Sequence, residues 1–301
     1  MTALRSTQFG LLVVVLIQML GCSTGRLLSP PPQSELIAIE FSDKSFSTLL
    51  DMPAGVYQVP NSQVIISGHQ KVRSIDSIIG PSGFNLGISE NADSAESAVH
   101  ILKLNLTESA SYMARELTAD PVLSQSYTYL PEKDAPYLDV RTRVILTFEN
   151  EELSKPYVVL HAALKAGGTN FIIWQGRYIA SSGPAKPITG EDSWMSDDGE
   201  ALHANISENL KTAIEVMMHD VASPYPRQAR QLVSVKGHYP YVGPPLQIVG
   251  YHLDEDADSL TFLPKLGSSM VFAGVNIVDK ETVSFRPASA DEPVYTYLGS
   301  E

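Results

Sequence analysis

The residues best spaced to bind a metal are three aspartates near the carboxyl terminus. Asp254, Asp256 and Asp258 have the alternate spacing of the first ligands in a calcium-binding loop. Such a loop needs a glycine at its sixth position and a bidentate glutamate at its twelfth, but this chain has Ser259 and Lys265 there. The triplet therefore predicts a solvated hairpin tip, and we expect no metal site.

Other catalytic patterns are absent from the sequence. It contains no G-x-S-x-G, H-E-x-x-H, S-x-x-K or G-x-G-x-x-G pattern and no P-loop. The seven histidines are scattered, and no two have the i,i+4 spacing that would place two ligands on one helix face. We therefore expect no catalytic residue and no bound cofactor.

One group of basic side chains is unusual in an acidic protein. On one face of three predicted strands, only Asp139 opposes a set of basic and amide residues, which are Arg141, Arg143, His161, Lys165, Gln175 and Arg177. A solvated sheet face would explain the set simply. The alternative is a docking face for an acidic partner or an anionic group, formed by Arg141, Arg143, His161 and Arg177. This alternative requires Arg141, His161 and Arg177 to converge.

Alternation of apolar and polar residues predicts the strands that would carry this face. Leu138–Phe148, Val158–Lys165 and Phe171–Ala180 alternate and are joined by short loops, so they predict an antiparallel meander. Ala98–Leu106 also alternates and predicts a strand. The apolar spacing that follows it predicts a short helix over 108–118.

The clearest predicted helix follows the meander. Ser196 is its predicted N-cap, and acidic residues follow near the positive end of the helix dipole. A single apolar stripe then runs to about Ser223 through Leu202, Ile206, Leu210, Ala213, Ile214, Met217 and Val221. The chain beyond about Gln228 predicts only strands. The predicted fold is α+β: an antiparallel meander sheet packed by one long amphipathic helix and one short helix, with a C-terminal all-β extension.

The amino terminus carries the strongest functional signal. Leu11–Leu20 is an apolar run that is too short to span a bilayer, which takes about 20 residues, and it fits a signal peptide. Gly21 and Cys22 follow it, and Cys22 is the only cysteine in the chain. This arrangement resembles the signal of bacterial lipoproteins. The resemblance implies that the signal peptide, residues 1–21, is cleaved off and that Cys22 is lipidated. Ser23 at the next position implies sorting to the outer membrane.

The segment after the signal predicts an extended tether. Residues 22–35 are mostly small and polar and include three consecutive prolines, which favour a polyproline II conformation outside the core. We therefore divide the chain into a signal peptide over 1–21, the lipidated cysteine and tether over 22–35, an α+β periplasmic domain over 36–227, and a β-rich module or sheet extension over 228–301.

Charge limits the class of partner. The chain has 34 acidic residues against 21 Lys and Arg, a formal net charge of −13, which argues against binding nucleic acid. The element order over about 98–222 loosely resembles the cores of small periplasmic envelope lipoproteins, such as ABC-type transport auxiliary lipoproteins.

The expected function follows from the anchor and the missing catalytic motifs. We expect a non-enzymatic lipoprotein of the outer membrane, held by its lipid on the periplasmic side. It would act in envelope assembly, as a transport accessory, or by binding a periplasmic or outer-membrane protein. The alternatives are a lipid-anchored periplasmic hydrolase or carbohydrate-active enzyme, and a module that binds a small ligand or lipid.

Overall fold

The computed structural model describes residues 29–32, 36–44, 56–67, 90–102, 104–129, 135–169, 171–227, 231–267 and 270–298. Cys22 lies outside these residues, so its lipidation stays a prediction. Within the described ranges, no helix has both the length and the apolar character needed to cross a membrane.

The described residues form one mixed sheet of 14 strands. Ten strands follow each other in the order β13-β9-β10-β11-β12-β7-β6-β5-β1-β4, while β14 pairs with β10, β3 with β5, β2 with β3 and β8 with β6. The strands are β1 (Ile37–Ser42), β2 (Tyr57–Gln58), β3 (Val64–Ser67), β4 (Tyr127–Thr128), β5 (Tyr137–Phe148), β6 (Leu153–Lys165), β7 (Ile172–Ser181), β8 (Lys186–Pro187), β9 (Leu232–Tyr239), β10 (Val242–Glu255), β11 (Ser259–Pro264), β12 (Val275–Asp279), β13 (Ser284–Pro287) and β14 (Tyr295–Tyr297).

The predicted meander is confirmed, but the prediction of a purely antiparallel sheet is wrong. Strands β5, β6 and β7 pair antiparallel in sequence order. By contrast, β1 pairs parallel with β4 and β5, β3 with β5, and β12 with β7. Parallel neighbours need a long crossover, and helices separate β3 from β5 along the chain. Alternation of side chains is the same in both orientations, so it could not reveal strand direction.

The helices number more than the two that the sequence predicted. Among the described residues they are α1 (Glu90–Leu102), α2 (Leu106–Leu117), α3 (Leu123–Ser126) and α4 (Glu200–Ala222), with a 3₁₀ turn at Ser196–Gly199.

The strand predicted over Ala98–Leu106 is wrong, because most of it belongs to α1. Buried side chains of α1 include Ala95, Ala98 and Val99, which have the i,i+3,i+4 spacing of one helix face. The next helix, α2, confirms the predicted short helix. It begins after Asn105, whose side chain accepts a hydrogen bond from the Glu108 amide at 3.2 Å.

Helix α4 confirms the predicted long helix, and every residue of its predicted stripe is buried. Its amino terminus differs from the prediction. Ser196 lies in the 3₁₀ turn, and the residue before the helix is Gly199, with a left-handed φ of 85°. Asp197 and Asp198 also have positive φ, which aspartate tolerates better than most side chains. The acidic run therefore forms a tight turn into the helix.

Two apolar cores lie on opposite faces of β5–β7. Residues such as Val144 and Leu160 pack with α1, α2 and α4 on one face. Residues such as Ile145 and Val159 pack on the other face with the C-terminal strands. Strand β12 joins these strands to the meander by pairing Val275 with Tyr178. The C-terminal strands thus continue the central sheet and cover part of its second face.

The sequence predicted that the proline segment within residues 22–35 lies outside the core. In the structure, part of this segment contacts the fold. Pro31 is buried. The indole Nε1 of Trp174 donates a hydrogen bond to the Ser29 carbonyl at 3.0 Å. Trp174 itself lies across Gly176, where an added Cβ would come within 2.3 Å of the indole ring. The glycine therefore leaves room for the tryptophan that holds the segment.

Candidate functional site

The predicted docking face depends on strand register, and the register is as the hypothesis requires. Arg141 on β5 lies directly opposite His161 on β6, and His161 lies directly opposite Arg177 on β7. The three residues therefore form one row across the meander. Arg143 lies in the next row, opposite Val159.

Arg177 is a structural residue of this row. It is only 5% exposed, and its Nη1 atom donates to the carbonyls of Met270, Val271 and Ala273 at 2.9–3.1 Å. These carbonyls belong to the loop that leads into β12. The loop comes close to β7 because Gly274, with φ of 135°, has no side chain; an added Cβ would lie 2.5 Å from the Arg177 carbonyl oxygen. Arg177 therefore fastens the C-terminal strands to the meander.

Arg143 is also buried, with 1% of its surface exposed. Its guanidinium donates to the Thr142 carbonyl at 2.7 Å and to the Lys44 carbonyl at 2.8 Å. Burial lowers the pKa of this guanidinium, with a smaller contribution from the positive charge of Arg141. The structure thus leaves Arg141 and His161, both partly exposed, as the members of the predicted docking face that a partner can reach.

The acidic residue of the predicted face is paired. The Asp139 carboxylate accepts hydrogen bonds from Lys165 Nζ at 2.6 Å and Ser42 Oγ at 2.9 Å, and Arg141 Nη2 lies 3.6 Å away. Burial alone would raise the pKa of Asp139, but these three groups outweigh it and lower the pKa. Burial likewise opposes the charge of Lys165, yet Asp139 raises the pKa of the ammonium. The pair neutralises Lys165, so the face is less basic than its composition suggested.

A separate cleft lies between α4 and the β10–β11 hairpin. It has a volume of about 1010 Å³. Its lining includes the carboxylates of Glu208, Glu215, Asp254, Glu255, Asp256, Asp258, Asp279 and Glu281. In the described part of the chain, no group of three or more His, Cys, Asp or Glu side chains is arranged to hold a metal ion.

An acidic side chain at the tip of the β10–β11 hairpin stabilises the turn. Asp256 accepts hydrogen bonds from the amides of Asp258 and Ser259 at 2.8 and 2.6 Å and from the Ser259 hydroxyl at 2.7 Å. These hydrogen bonds, the hydroxyl first, lower the pKa of Asp256. Lys280 and His252 lower the pKa of Glu255 in the same way. Both carboxylates are thus held in the ionised form, and the hairpin tip is solvated as the sequence indicated.

Sequence reasoning missed a buried ion pair at the end of α4. Both oxygens of Asp220 accept hydrogen bonds from Arg227, at 2.9 and 2.5 Å, and one also accepts from the Tyr178 hydroxyl at 2.7 Å. Burial raises the pKa of Tyr178, so the phenol stays a donor. Asp220 thus joins α4 to Arg227 in the following segment and, through Tyr178, to β7, and its role is structural. The available signal was a charged residue, Asp220, directly beside the apolar stripe at Val221.

Comparison with known proteins adds only distant structural likeness. No family model matches the sequence, and no curated protein matches it. Among solved structures, the chain is similar to the crystal structure of protein XCC0632 from Xanthomonas campestris, which is described by the family model DUF330. The identity is 10% and the TM-score 0.27, over 64% of this chain and 83% of that one. A likeness at this level carries no argument about function.

Proposed function

We propose that this protein is a lipid-anchored outer-membrane lipoprotein that faces the periplasm and binds a protein partner in a non-enzymatic role, such as envelope assembly or transport. The observation that carries the proposal is Cys22, the only cysteine, which directly follows an apolar segment and Gly21. Diacylglycerol on the thiol and a third chain, such as palmitate, on the amine would give stable attachment, since each buried CH₂ contributes about 0.8 kcal/mol.

The start of the folded part is consistent with such an anchor. Ser29 is the seventh residue after Cys22, and its carbonyl is held by Trp174 on β7. The folded part therefore begins close to the predicted lipid.

The lowered pKa values of Glu255 and Asp256 argue against a general-acid role for these two carboxylates of the cleft. A general acid that works near neutral pH needs a raised pKa. The contacts of Glu255 and Asp256 instead lower their pKa values and keep them ionised. Such groups exert a steady negative field but do not deliver protons.

Metabolic labelling with palmitate tests the anchor. We expect label in the wild type and in Ser23→Ala, which keeps the thiol, and no label in Cys22→Ala, because the acceptor atom is gone. Equal labelling of Cys22→Ala and wild type would overturn the proposal. Cell fractionation of Ser23→Asp adds a test of sorting: the lipoprotein resemblance implies that this variant stays in the inner membrane.

Site-specific photo-crosslinking in cells tests the partner. A crosslinking side chain at His161 should capture a defined envelope protein, and adding Arg141→Glu should weaken capture by placing a negative charge beside it. A crosslinking side chain at Tyr112, which is exposed on α2, is the control position. The same products from positions 161 and 112, unaffected by Arg141→Glu, would rule out this face as the binding surface.

A further inference from the structure

One end of the sheet presents apolar side chains to solvent. The register pairs Ile172 with Lys165, Lys165 with Tyr137, and Tyr137 with Ala38, so the starts of β7, β5 and β1 and the end of β6 meet at this end. Around it, Phe171 is 71% exposed, Ile173 47% and Leu36 43%. We call these three residues the apolar end. Large apolar side chains grouped on a surface commonly mark a contact with a protein or a membrane.

The predicted lipid lies within short reach of the apolar end. The hydrogen bond between Trp174 and the Ser29 carbonyl fixes the chain one residue from Ile173 and three from Phe171. From Cys22 to Ser29 there are seven residue steps, which span at most about 25 Å when fully extended. Because the segment is attached to β7 and not to a distant part of the fold, this end of the sheet must stay near the bilayer.

The charge distribution favours a membrane as the occupant. The chain carries a formal net charge of −13, so most of its surface is repelled by anionic lipid. Residues 166–176, which include the β6–β7 turn and Phe171, contain no charged side chain. The ammonium of Lys165, which directly precedes this segment, is paired with Asp139 at 2.6 Å. The β6–β7 turn can therefore approach a bilayer with less repulsion than the acidic remainder.

We propose that the apolar end inserts into the headgroup layer of the same bilayer that holds the lipid on Cys22, with Phe171 as the deepest residue. The inference rests on the proposed lipid anchor and adds an orientation to it. The meander would be oriented so that the start of β7 faces the membrane. Apolar and aromatic side chains of interfacial proteins lie about 5–10 Å into this layer.

Depth-dependent fluorescence quenching tests the orientation on the full-length lipidated protein. Because Cys22 would be blocked by lipid, Phe171→Cys supplies the one free thiol for an environment-sensitive dye. Tyr112→Cys is the matched control, since Tyr112 is an aromatic residue that is 63% exposed on α2. Both labelled proteins are reconstituted into vesicles of phosphatidylethanolamine and phosphatidylglycerol that contain a spin-labelled lipid quencher.

The outcomes are distinct. We expect quenching at position 171 to exceed that at position 112 by about twofold or more, because only position 171 would lie within the interfacial layer. Equal quenching at both positions, in protein whose mass shows the lipid, would overturn the orientation and leave the anchor standing. Protein without lipid on Cys22 would overturn the anchor and the orientation together.

Discussion

Replacing Arg177 with methionine should destabilise the fold much more than replacing Arg141, although the two residues lie in one row of the meander. Methionine keeps the apolar stem of arginine and removes the guanidinium, so the two variants make the same chemical change. The Arg177 guanidinium is buried against the loop before β12, whereas Arg141 is partly exposed and lies 3.6 Å from Asp139.

The magnitude follows from the hydrogen bonds of Arg177. Its Nη1 lies within 3.1 Å of three carbonyl oxygens, but the atom carries only two N–H groups. A hydrogen bond to a charged group contributes about 1.5–3 kcal/mol, so the loss of two should lower the free energy of unfolding of Arg177→Met by about 3–6 kcal/mol. A partly exposed ion pair contributes about 0–1 kcal/mol, which is the expected cost of Arg141→Met.

Urea unfolding followed by tryptophan fluorescence measures both variants, since Trp174 and Trp194 are buried and report loss of the core. The midpoint should fall clearly for Arg177→Met and hardly at all for Arg141→Met, with similar slopes. If the two variants unfold at the same urea concentration, the structural role given to Arg177 is wrong. Arg177 would then return to the candidates for partner docking.

Three further predictions concern buried charges and backbone conformation. The Asp139–Lys165 pair should stabilise the fold above pH 3.8, the ordinary pKa of Asp139, and below pH 10.5, that of Lys165. The stability difference between wild type and Lys165→Met should therefore shrink as the pH falls below 3.8 and through the lowered pKa of Asp139; a constant difference in urea unfolding would contradict this. Gly274→Ala should cost about 2 kcal/mol more than Gly190→Ala in thermal unfolding, because both have positive φ but only Gly274 has backbone within 4 Å of the new Cβ. Asp220→Asn should cost about 3–5 kcal/mol, since it leaves a buried guanidinium without its carboxylate, and an unchanged midpoint in the same assay would refute it.

Local periodicity predicted the elements whose burial is regular. The stripe of α4 and the alternation of β5–β7 follow directly from one buried face per element. The same reasoning failed at Ala98–Leu106, where apolar residues fit both periods. Neighbouring elements bury Ala95, Ala98 and Val99 on one helix face, and this packing favours the helix over a strand. The packing partners lie outside the segment, so its own sequence could not reveal them.

The sequence predicted which residues of the docking face lie opposite each other, but it did not predict which of them are exposed. Its three-residue row follows from the strand alternation and short turns of the meander. Burial of Arg177 depends instead on a loop that is 94 positions away in the sequence. The sequence carried no local signal for this contact, just as it carried none for the parallel pairing of β12 with β7. Long-range coverage of a sheet face is therefore what single-sequence patterns missed here.

The parallel pairing of β7 with β12 also affects how the chain folds during synthesis. A growing polypeptide can assemble β5, β6 and β7 as soon as Ser181 has emerged, but the outer edge of β7 stays open until Val275–Asp279 follows. During that interval Arg177 has no loop carbonyls to bind, and the open edge offers a template to neighbouring chains. Pairings between distant segments also form slowly. A polypeptide that ends before β12 is thus exposed to aggregation, rather than being a shorter version of the same fold.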